Sequence, residues 1–369
     1  MKNILFISVP WDYHTHAVIW GLAQSGVHVN FWSHSDFPIN KTATLSISSK
    51  AEPEFSFSDP DIQRCTHYDL VWYRRVSSAR VHPDTHPDDV SIALRESQKF
   101  LGNIIPHLKN QQAILLNDFQ HIASADTKFS QLSMAKKAGF QIPATLMSND
   151  PTEVLQFHKK LKGNIIHKSF MPGGWLNDAG DQFILKTSSA ASISESDSDA
   201  IRLCPGIYQE RILNKRDIRV TVFGDKVIAV EIQQQQNSNI IDWRYDTNIL
   251  NPEVKHITLP DNIIECCKRL CHLLGLRTGC IDLAIDDHGT FFFIEINESG
   301  QFLWIEHSDP EITLLHHFCE YLKDLLNLNT PSLRTVSIAN FEASAEYQNY
   351  EKLKEKMKIE NKLFSIESA

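Results

Sequence analysis

What the sequence lacks narrows its class. No apolar run approaches the roughly 20 residues of a membrane-spanning helix. The opening "MKNILFISVP" is too short for a signal peptide, because Trp11 and Asp12 follow at once. A soluble, cytoplasmic protein without a membrane partner is therefore expected. There is no excess of basic charge: 36 Lys and Arg stand against 45 Asp and Glu, a net charge of -9. That balance argues against a nucleic-acid partner, which needs a basic face. The seven cysteines form no CxxC pair, so a zinc site lacks its usual spacing and small reduced core thiols are expected. No GxGxxG follows the first apolar strand, which leaves a dinucleotide fold without support. What remains is a chain of 369 residues, 42% hydrophobic, enough for a sizeable core in two or three lobes.

Periodicity orders that chain. "NILFISV" reads as a strand, "HAVIWGLAQSG" as a short helix stopped at Gly26, and "VHVNFWS" as a second strand. This is the β-α-β opening of a small open α/β domain. "YDLVWYRRVS" predicts a strand ending at Arg74 and Arg75, either grips for a substrate or leader carboxylate or interdomain salt-bridge partners. "HPDDVSIALRESQKFLGNIIPHL" contains a long helix, and the strand "AILLND" closes the domain. Then "DTKFSQLSMAKKAGFQIPAT" predicts a helix capped by Asp126 and stopped by Gly139. "GNIIHKSF" is a strand carrying Lys168, "MPGGWLNDAGD" a glycine-containing loop, and "SSAASISESDSDA" a mobile polar surface segment. The strands "GIYQERI" and "DIRVTVFGDKVIAVEIQQQQ" follow, the second turning at "FGDK". "NIIECCKRLCHLLGL" is an amphipathic helix, "TGCIDLAIDDHGTFFFIEIN" a β-hairpin and "EITLLHHFCEYLKDLL" a helix. From about Thr330 the pattern loosens into a charged helix with Tyr350, Leu353 and Met357 on one side. It reads as a solvated terminal helix or a dimer contact.

The chemistry concentrates in the hairpin Cys280 to Asn297. Side chains alternate along a strand, so Glu295 and Asn297 share a face. Antiparallel pairing can bring Asp282 alongside them. Oxygen donors on two adjacent strands suit a hard cation, and Mg²⁺ commonly bridges such oxygens to substrate phosphates. The other reading is a half-exposed edge strand, which the apolar neighbours Phe293, Ile294 and Ile296 make less comfortable. A nucleotide would need cations as well. Lys128 opens a helix, Lys168 ends a strand just before the PGG loop, Arg219 lies on a strand, and Arg244 follows Asp242 and Trp243. Trp243 reads equally as a core residue. The glycines between Met171 and Trp175 permit a close backbone approach to phosphates.

In this order, "DTKFSQLSMAKKAGFQIPAT", "IIHKSF", "YQERILNKRDIRVTVFGDKVIAV", "CIDLAID" and "FIEINESGQ" resemble the ATP-grasp superfamily over roughly Asp126 to Leu326. "FLWIE" after "EINESGQ", together with "VWYRR", "IDWR" and the front segment from "ILFISVPWDYHTHAVIWGL" to "SDFP", looks like the microviridin-type peptide ligases, the graspetide synthetases. "KSFMPGGW" and the tail beyond Thr330 fit that pattern less well. The resemblance implies an α/β protein, α+β in its catalytic part: an ATP-grasp fold behind an N-terminal open α/β pre-ATP-grasp domain. The implied partition is residues 1–120, an ATP-grasp domain over 121–328, and a partly helical extension over 329–369. Within the second part, a small ATP-binding lobe covers about 126–210 and a catalytic lobe about 211–328.

Residue by residue, the resemblance implies that Lys128 and Lys168 contact ATP phosphates, with the adenine side a further contact open to Lys168. Gln209, Glu210, Arg211 and Ile212 would hold adenine through backbone groups. Asp282, Glu295 and Asn297 would hold Mg²⁺, as two ions, and Arg219 and Arg244 would face the γ-phosphate or acyl phosphate. The implied activity is an ADP-forming ligase that activates a carboxylate and joins it to a hydroxyl or amine. Its expected partner is a ribosomally made precursor peptide, crosslinked between side chains, and a homodimer is the expected assembly. The alternatives are a glutathione-synthetase-like ligase for small carboxylates and amines, and an ATP-binding regulatory protein without turnover. The intact Asp282, Glu295 and Asn297 set speaks against the last.

Overall fold

The computed structural model describes residues 2–58, 67–75, 80–171, 173–176, 182–233, 241–242, 252–328, 330 and 335–367. The chain forms two compact units. One comprises Met1–Ala123, Gly275–Gly279 and Glu298–Ala369, the other Ser124–Leu274 and Cys280–Asn297. No described helix is long and apolar enough to cross a membrane.

The first unit begins with β1 (Ile4–Ser8), α1 (Tyr13–Ala23) and β2 (Asn30–Ser33), as the apolar periodicity predicts. The hairpin β3 (Thr42–Ser48) and β4 (Ala51–Ser58) follows, then β5 (Leu70–Tyr73), α2 (Val90–Leu101), α3 (Ile104–Asn110), β6 (Ile114–Leu116) and α4 (Phe119–Ala125). Strands β2, β1, β5 and β6 form a parallel four-stranded sheet in that order. Its core joins Trp32, Tyr68 and Leu108 to Phe55 and Phe57 of the β4 ribbon. The long helix expected in this stretch is α2, and a break at Gly102 and Asn103 separates it from α3. The Asn103 side chain donates to the Lys99 carbonyl at 2.7 Å, a local bond that competes with continuing the helix.

The second unit contains α5 (Lys128–Ala138), β7 (Thr145–Ser148), α6 (Pro151–Lys160), β8 (Ile165–Lys168), β9 (Gly173–Leu176), β10 (Gln182–Leu185), β11 (Ser188–Ser189), α7 (Ser198–Leu203) and β12 (Gly206–Glu210). The chain continues through β13 (Arg216–Phe223), β14 (Lys226–Ile232), β15 (Val254–Ile257), α8 (Asp261–Leu274), β16 (Thr278–Ile285) and β17 (Phe291–Asn297). Two larger sheets result, one four-stranded in the order β11-β8-β12-β7 and one five-stranded in the order β15-β14-β13-β16-β17. Gly139 ends α5 with φ of 109°, a left-handed conformation that glycine adopts without steric cost.

Three local expectations are corrected in this unit. Gly173–Leu176, expected within a loop, is strand β9, paired antiparallel with β10. The N-cap of α5 is Thr127, not Asp126: Thr127 is the last extended residue, and its hydroxyl donates to the Ser124 carbonyl. The serine-rich stretch over Ser188–Ala200 is folded rather than a mobile surface segment. Ser194 and Asp197 form a reciprocal capping box, which satisfies orphan N–H groups at a helix start. Ile201 then anchors α7 in a core with Val154, Ile165 and Tyr208.

The remaining helices belong to the first unit: α9 (Leu303–Ser308), α10 (Leu314–Leu325), α11 (Ile338–Glu342) and α12 (Ala345–Glu367). "FLWIE" is thus the start of α9. Glu306, 1% exposed, accepts the backbone N–H groups of Leu315 and Ile338, both at 2.8 Å. One buried carboxylate thereby serves the starts of two helices. At the other end of α9, the Nε2 of His14 accepts the N–H groups of Phe302 at 3.0 Å and Leu303 at 3.1 Å. Arg74 is buried, bonded to Asp12 at 2.8 Å and to the carbonyls of Ser299 and Gly300. A salt bridge is found, but it lies within the first unit rather than between domains. On α12, Tyr350 and Met357 are buried and Leu353 is half-buried, so that face of the terminal helix packs rather than lying in solvent.

Candidate active site

The hairpin of β16 and β17 sets the site. Asp282 stands opposite Glu295, and Cys280 opposite Asn297. The pairing is not a plain ladder. Leu283 faces Phe293, so the register shifts and Ile294 is an extra residue on β17. Strict alternation would put Phe293, Glu295 and Asn297 on one face. The bulge resets the phase, so that Phe293 and Ile296 both enter the core at 0% and 2% exposure. Glu295 and Asn297 can then share the opposite face with Asp282. The strand is a core strand with a polar edge because it changes phase at Ile294.

Cations meet this edge from two other elements. Arg219 on β13 is 7% exposed, and its Nη1 lies 2.8 Å from Oδ1 of Asp282. Burial works against the guanidinium charge, but Asp282, Cys280 and Glu295 outweigh it and hold the Arg219 pKa above its ordinary value. Lys128, the first residue of α5, places Nζ 2.9 Å from Oε2 of Glu295. One turn on, Gln131 is buried, and its side chain bonds the main chain of Ile296.

Asp217 joins the same neighbourhood. It lies two residues before Arg219 on β13 and is 7% exposed. Burial raises its pKa, Lys215 pulls it down, and Asp282 and Asp242 push it up further. Sequence reading missed both Asp217 and Gln131. The signal was present as spacing: two residues along a strand, or three along a helix, from an expected site residue shares its face.

The other expected positions lie on the four-stranded sheet. Lys168 ends β8 opposite Ile207. Gln209 is buried on β12, its Nε2 donating to the Thr145 hydroxyl at 2.9 Å. The Glu210 N–H donates to the Ala144 carbonyl. The Arg211 N–H donates to the Asn164 carbonyl at 3.1 Å, and its carbonyl accepts from the Asn164 side chain at 2.9 Å. These main-chain groups of the expected adenine segment are thus engaged within the protein, and Ile212 follows half-buried. Arg244 and Trp243 lie outside the described residues.

Chemically, the edge offers two carboxylates and a carboxamide beside a buried guanidinium and an ammonium. All the donors are hard oxygens, which fits Mg²⁺ rather than a thiophilic metal. Among the described residues, no three His, Cys, Asp or Glu side chains form a ligand group; the third oxygen here belongs to Asn297. Cations next to these carboxylates suit a polyanionic substrate whose charge the ion and the basic groups share.

No protein-family model and no curated protein matches the chain. Solved structures do. A RiPP-associated ATP-grasp ligase from Chryseobacterium gregarium, in complex with ADP and a leader and core peptide, is 24% identical, with a TM-score of 0.78 over 91% of this chain and 100% of its own. The macrocyclase MdnC of Microcystis aeruginosa, bound with precursor peptide MdnA, is 23% identical, with a TM-score of 0.73 over 88% of this chain and 99% of its own. The ATP-grasp ligase PsnB, complexed with minimal precursor, Mg and ADP, is 22% identical, with a TM-score of 0.69 over 88% and 98%. The chain has the ATP-grasp fold, along nearly the full length of these ligases.

Proposed function

We propose that the chain is an ATP-dependent ligase that forms side-chain ester or amide crosslinks in a ribosomally made precursor peptide. The observation that carries the reading is the edge of β17, where Glu295 and Asn297 stand with Asp282 and meet Lys128 and Arg219. The peptide substrate is supported by the similar ligases, which are complexed with precursor, leader or core peptides.

In this reading residues 1–120 are the pre-ATP-grasp domain, 121–328 the ATP-grasp domain with its two lobes, and 329–369 an extension. Lys128 and Lys168 bind ATP phosphates, and Gln209 to Ile212 border the adenine. Asp282, Glu295 and Asn297 hold two Mg²⁺ ions. When bound, the ions neutralise phosphate charge and polarise the γ-phosphoryl group. Arg219 and Arg244 orient and stabilise the equatorial oxygens of that group. A substrate carboxylate oxygen attacks the γ-phosphorus, the bond to the β-phosphate oxygen breaks, and ADP leaves. A hydroxyl or amine then attacks the acyl carbon, the bond to phosphate breaks, and the nucleophile's proton leaves to phosphate or solvent. Catalysis is positioning and electrostatics, with no covalent enzyme intermediate. Shielding the acyl phosphate from water falls to the segment Met171 to Gly180, of which residues 172 and 177–180 lie outside the described ones. The enzyme works in the cytoplasm, where ATP is available, as a homodimer.

The test is ADP release with Mg²⁺ and candidate precursor peptides, read beside the peptide mass. Peptide-stimulated release, with a peptide lighter by one water per bond, is expected. Release stimulated only by amino acids or small amines would instead assign a small-molecule ligase, and nucleotide binding without turnover a regulatory protein.

A further inference from the structure

Among the described residues, the strand that carries Glu295 and Asn297 is the last in its sheet: β17 pairs with β16 on one side, ends the five-strand order and has only an isolated bridge from Phe292 to Gln141 besides. An edge strand presents backbone N–H and C=O groups that no neighbouring strand satisfies. The β17 bulge at Ile294 also interrupts the ladder to β16 immediately before Glu295. The two site residues therefore sit on an edge strand beside an interrupted ladder, yet a metal-binding edge must hold its donors to a fraction of an ångström.

The outer edge is held by other means. The Phe293 N–H donates to the Gln141 carbonyl at 2.9 Å. At Ile296, between Glu295 and Asn297, the partner is one side chain. Gln131 accepts the Ile296 N–H on Oε1 at 3.2 Å and donates from Nε2 to the Ile296 carbonyl at 2.9 Å. The same Nε2 donates to the Ala125 carbonyl at 2.7 Å. The carboxamide thus makes the pair of bonds that the N–H and C=O of one residue on an antiparallel neighbouring strand would make. A carboxamide carries the adjacent donor and acceptor this needs, whereas a carboxylate has no donor and an ammonium no acceptor. Gln131 is 1% exposed and lies one turn after Lys128 on α5, so both face β17. Lys128 takes the Glu295 carboxylate, while Gln131 takes the main chain beside it.

The geometry points to Gln131 as a positioning residue that acts as a substitute β-strand neighbour, fixing the backbone between Glu295 and Asn297 so that both side chains present their oxygens to one ion. This rests on the metal reading of those two residues. Gln131 touches neither the ion nor the substrate; it acts through Ile296.

The experiment measures Mn²⁺ binding by electron paramagnetic resonance, with a non-hydrolysable ATP analogue, on the full chain. Wild type is compared with Gln131→Met, which keeps length and helix propensity but loses the donor and acceptor. Glu295→Gln and Val154→Ala serve as controls, the latter lowering stability from the core of the other sheet. Gln131→Met is expected to weaken Mn²⁺ binding about 10- to 100-fold, the usual effect of removing an outer partner of a metal ligand, whereas Val154→Ala leaves it unchanged. If Glu295→Gln binds Mn²⁺ like wild type, the metal reading fails. If Glu295→Gln is impaired while folded Gln131→Met is not, the Gln131 assignment is overturned. Should Gln131→Met not fold, Gln131→Asn, one methylene too short to reach Ile296, is read the same way. Amide exchange in the wild-type chain decides independently: an Ile296 N–H exchanging as fast as an open edge amide overturns the assignment, and slow exchange supports it.

Discussion

Arg219 and Asp282 form a buried ion pair on adjacent strands, Nη1 to Oδ1 at 2.8 Å, with side chains 9% and 16% exposed. Such a pair is costly to break from one side, because the buried Arg219 guanidinium then loses the first of the charges that offset its burial. Asp282→Asn should lower stability by about 3 kcal/mol and abolish ATP turnover. Arg219→Met should cost a similar amount. The double variant should recover part of the stability, since neither charge is then stranded, and recover no turnover. Urea unfolding and ADP release check this together. Stabilities that add without recovery would show that the pair is not coupled, and turnover by a folded Asp282→Asn would remove Asp282 from the metal site.

Lys128 and Glu295 meet at almost the same distance, 2.9 Å, but their side chains are 27% and 20% exposed. Partly solvated pairs contribute little to stability, about 0–1 kcal/mol. Lys128→Met should therefore leave the urea midpoint nearly unchanged while raising the KM for ATP at least about tenfold, the loss of one phosphate contact. A large loss of stability with an unchanged KM would reverse the assignment and make Lys128 a structural partner of Glu295.

The hairpin from Cys280 to Asn297 was legible because its apolar alternation and its turn at Asp286 to Gly289 are both local signals. The bulge was not, because Phe293 and Glu295 keep an apparent period of two across the extra Ile294. The β3–β4 ribbon shows why weak patterns escape notice. "TATLSIS" alternates small polar and apolar residues, yet its anchors Phe55 and Phe57 come from the returning strand. The serine-rich stretch misled through composition: its caps are serine and aspartate, and Ile201 is its only fully buried large apolar anchor on α7. Gln131 was invisible for another reason. Its partners are main-chain atoms of Ile296, far along the chain, and backbone groups leave no trace in side-chain chemistry. The role of "FLWIE" at the start of α9, and that of Arg74 beside it, depend in part on pairings more than 200 residues apart in sequence, such as His14 with Phe302 and Arg74 with Gly300.

Helix packing in the first unit offers a test independent of catalysis. A Cβ added at Gly21 of α1 would lie 2.7 Å from the Sγ of Cys319 on α10. Gly21→Ala should therefore destabilise by about 1–3 kcal/mol through overpacking, although alanine is the better helix former by about 1 kcal/mol. Cys319→Ala, which removes the sulfur, should relieve that penalty in the double variant. A double-mutant cycle by chemical unfolding measures the coupling. Additivity within about 0.5 kcal/mol would mean that the two helices do not approach this closely.

His14 supplies the pH dependence. Its Nε2 accepts two N–H groups at the start of α9, so the folded chain needs the ring unprotonated at that nitrogen. Burial, and next the Arg74 charge, hold its pKa well below the ordinary 6.5, against the opposing pull of Asp12. Above pH 6.5 neither the folded nor the unfolded state holds the proton, and His14 leaves stability independent of pH. Below it the unfolded chain binds a proton that the folded chain refuses. Stability then falls with pH by up to about 1.4 kcal/mol per unit for this one site. His16, whose pKa burial also lowers, adds to the slope in the same direction. His14→Gln should lower stability near pH 8 by about 1–2 kcal/mol, through weaker capping of Phe302 and Leu303. It should also flatten the slope of unfolding free energy between about pH 6.5 and 5.5 by close to one proton. Urea unfolding across that range measures both. A slope unchanged by His14→Gln would mean that His14 titrates normally in the folded chain and does not hold α9 as a neutral acceptor.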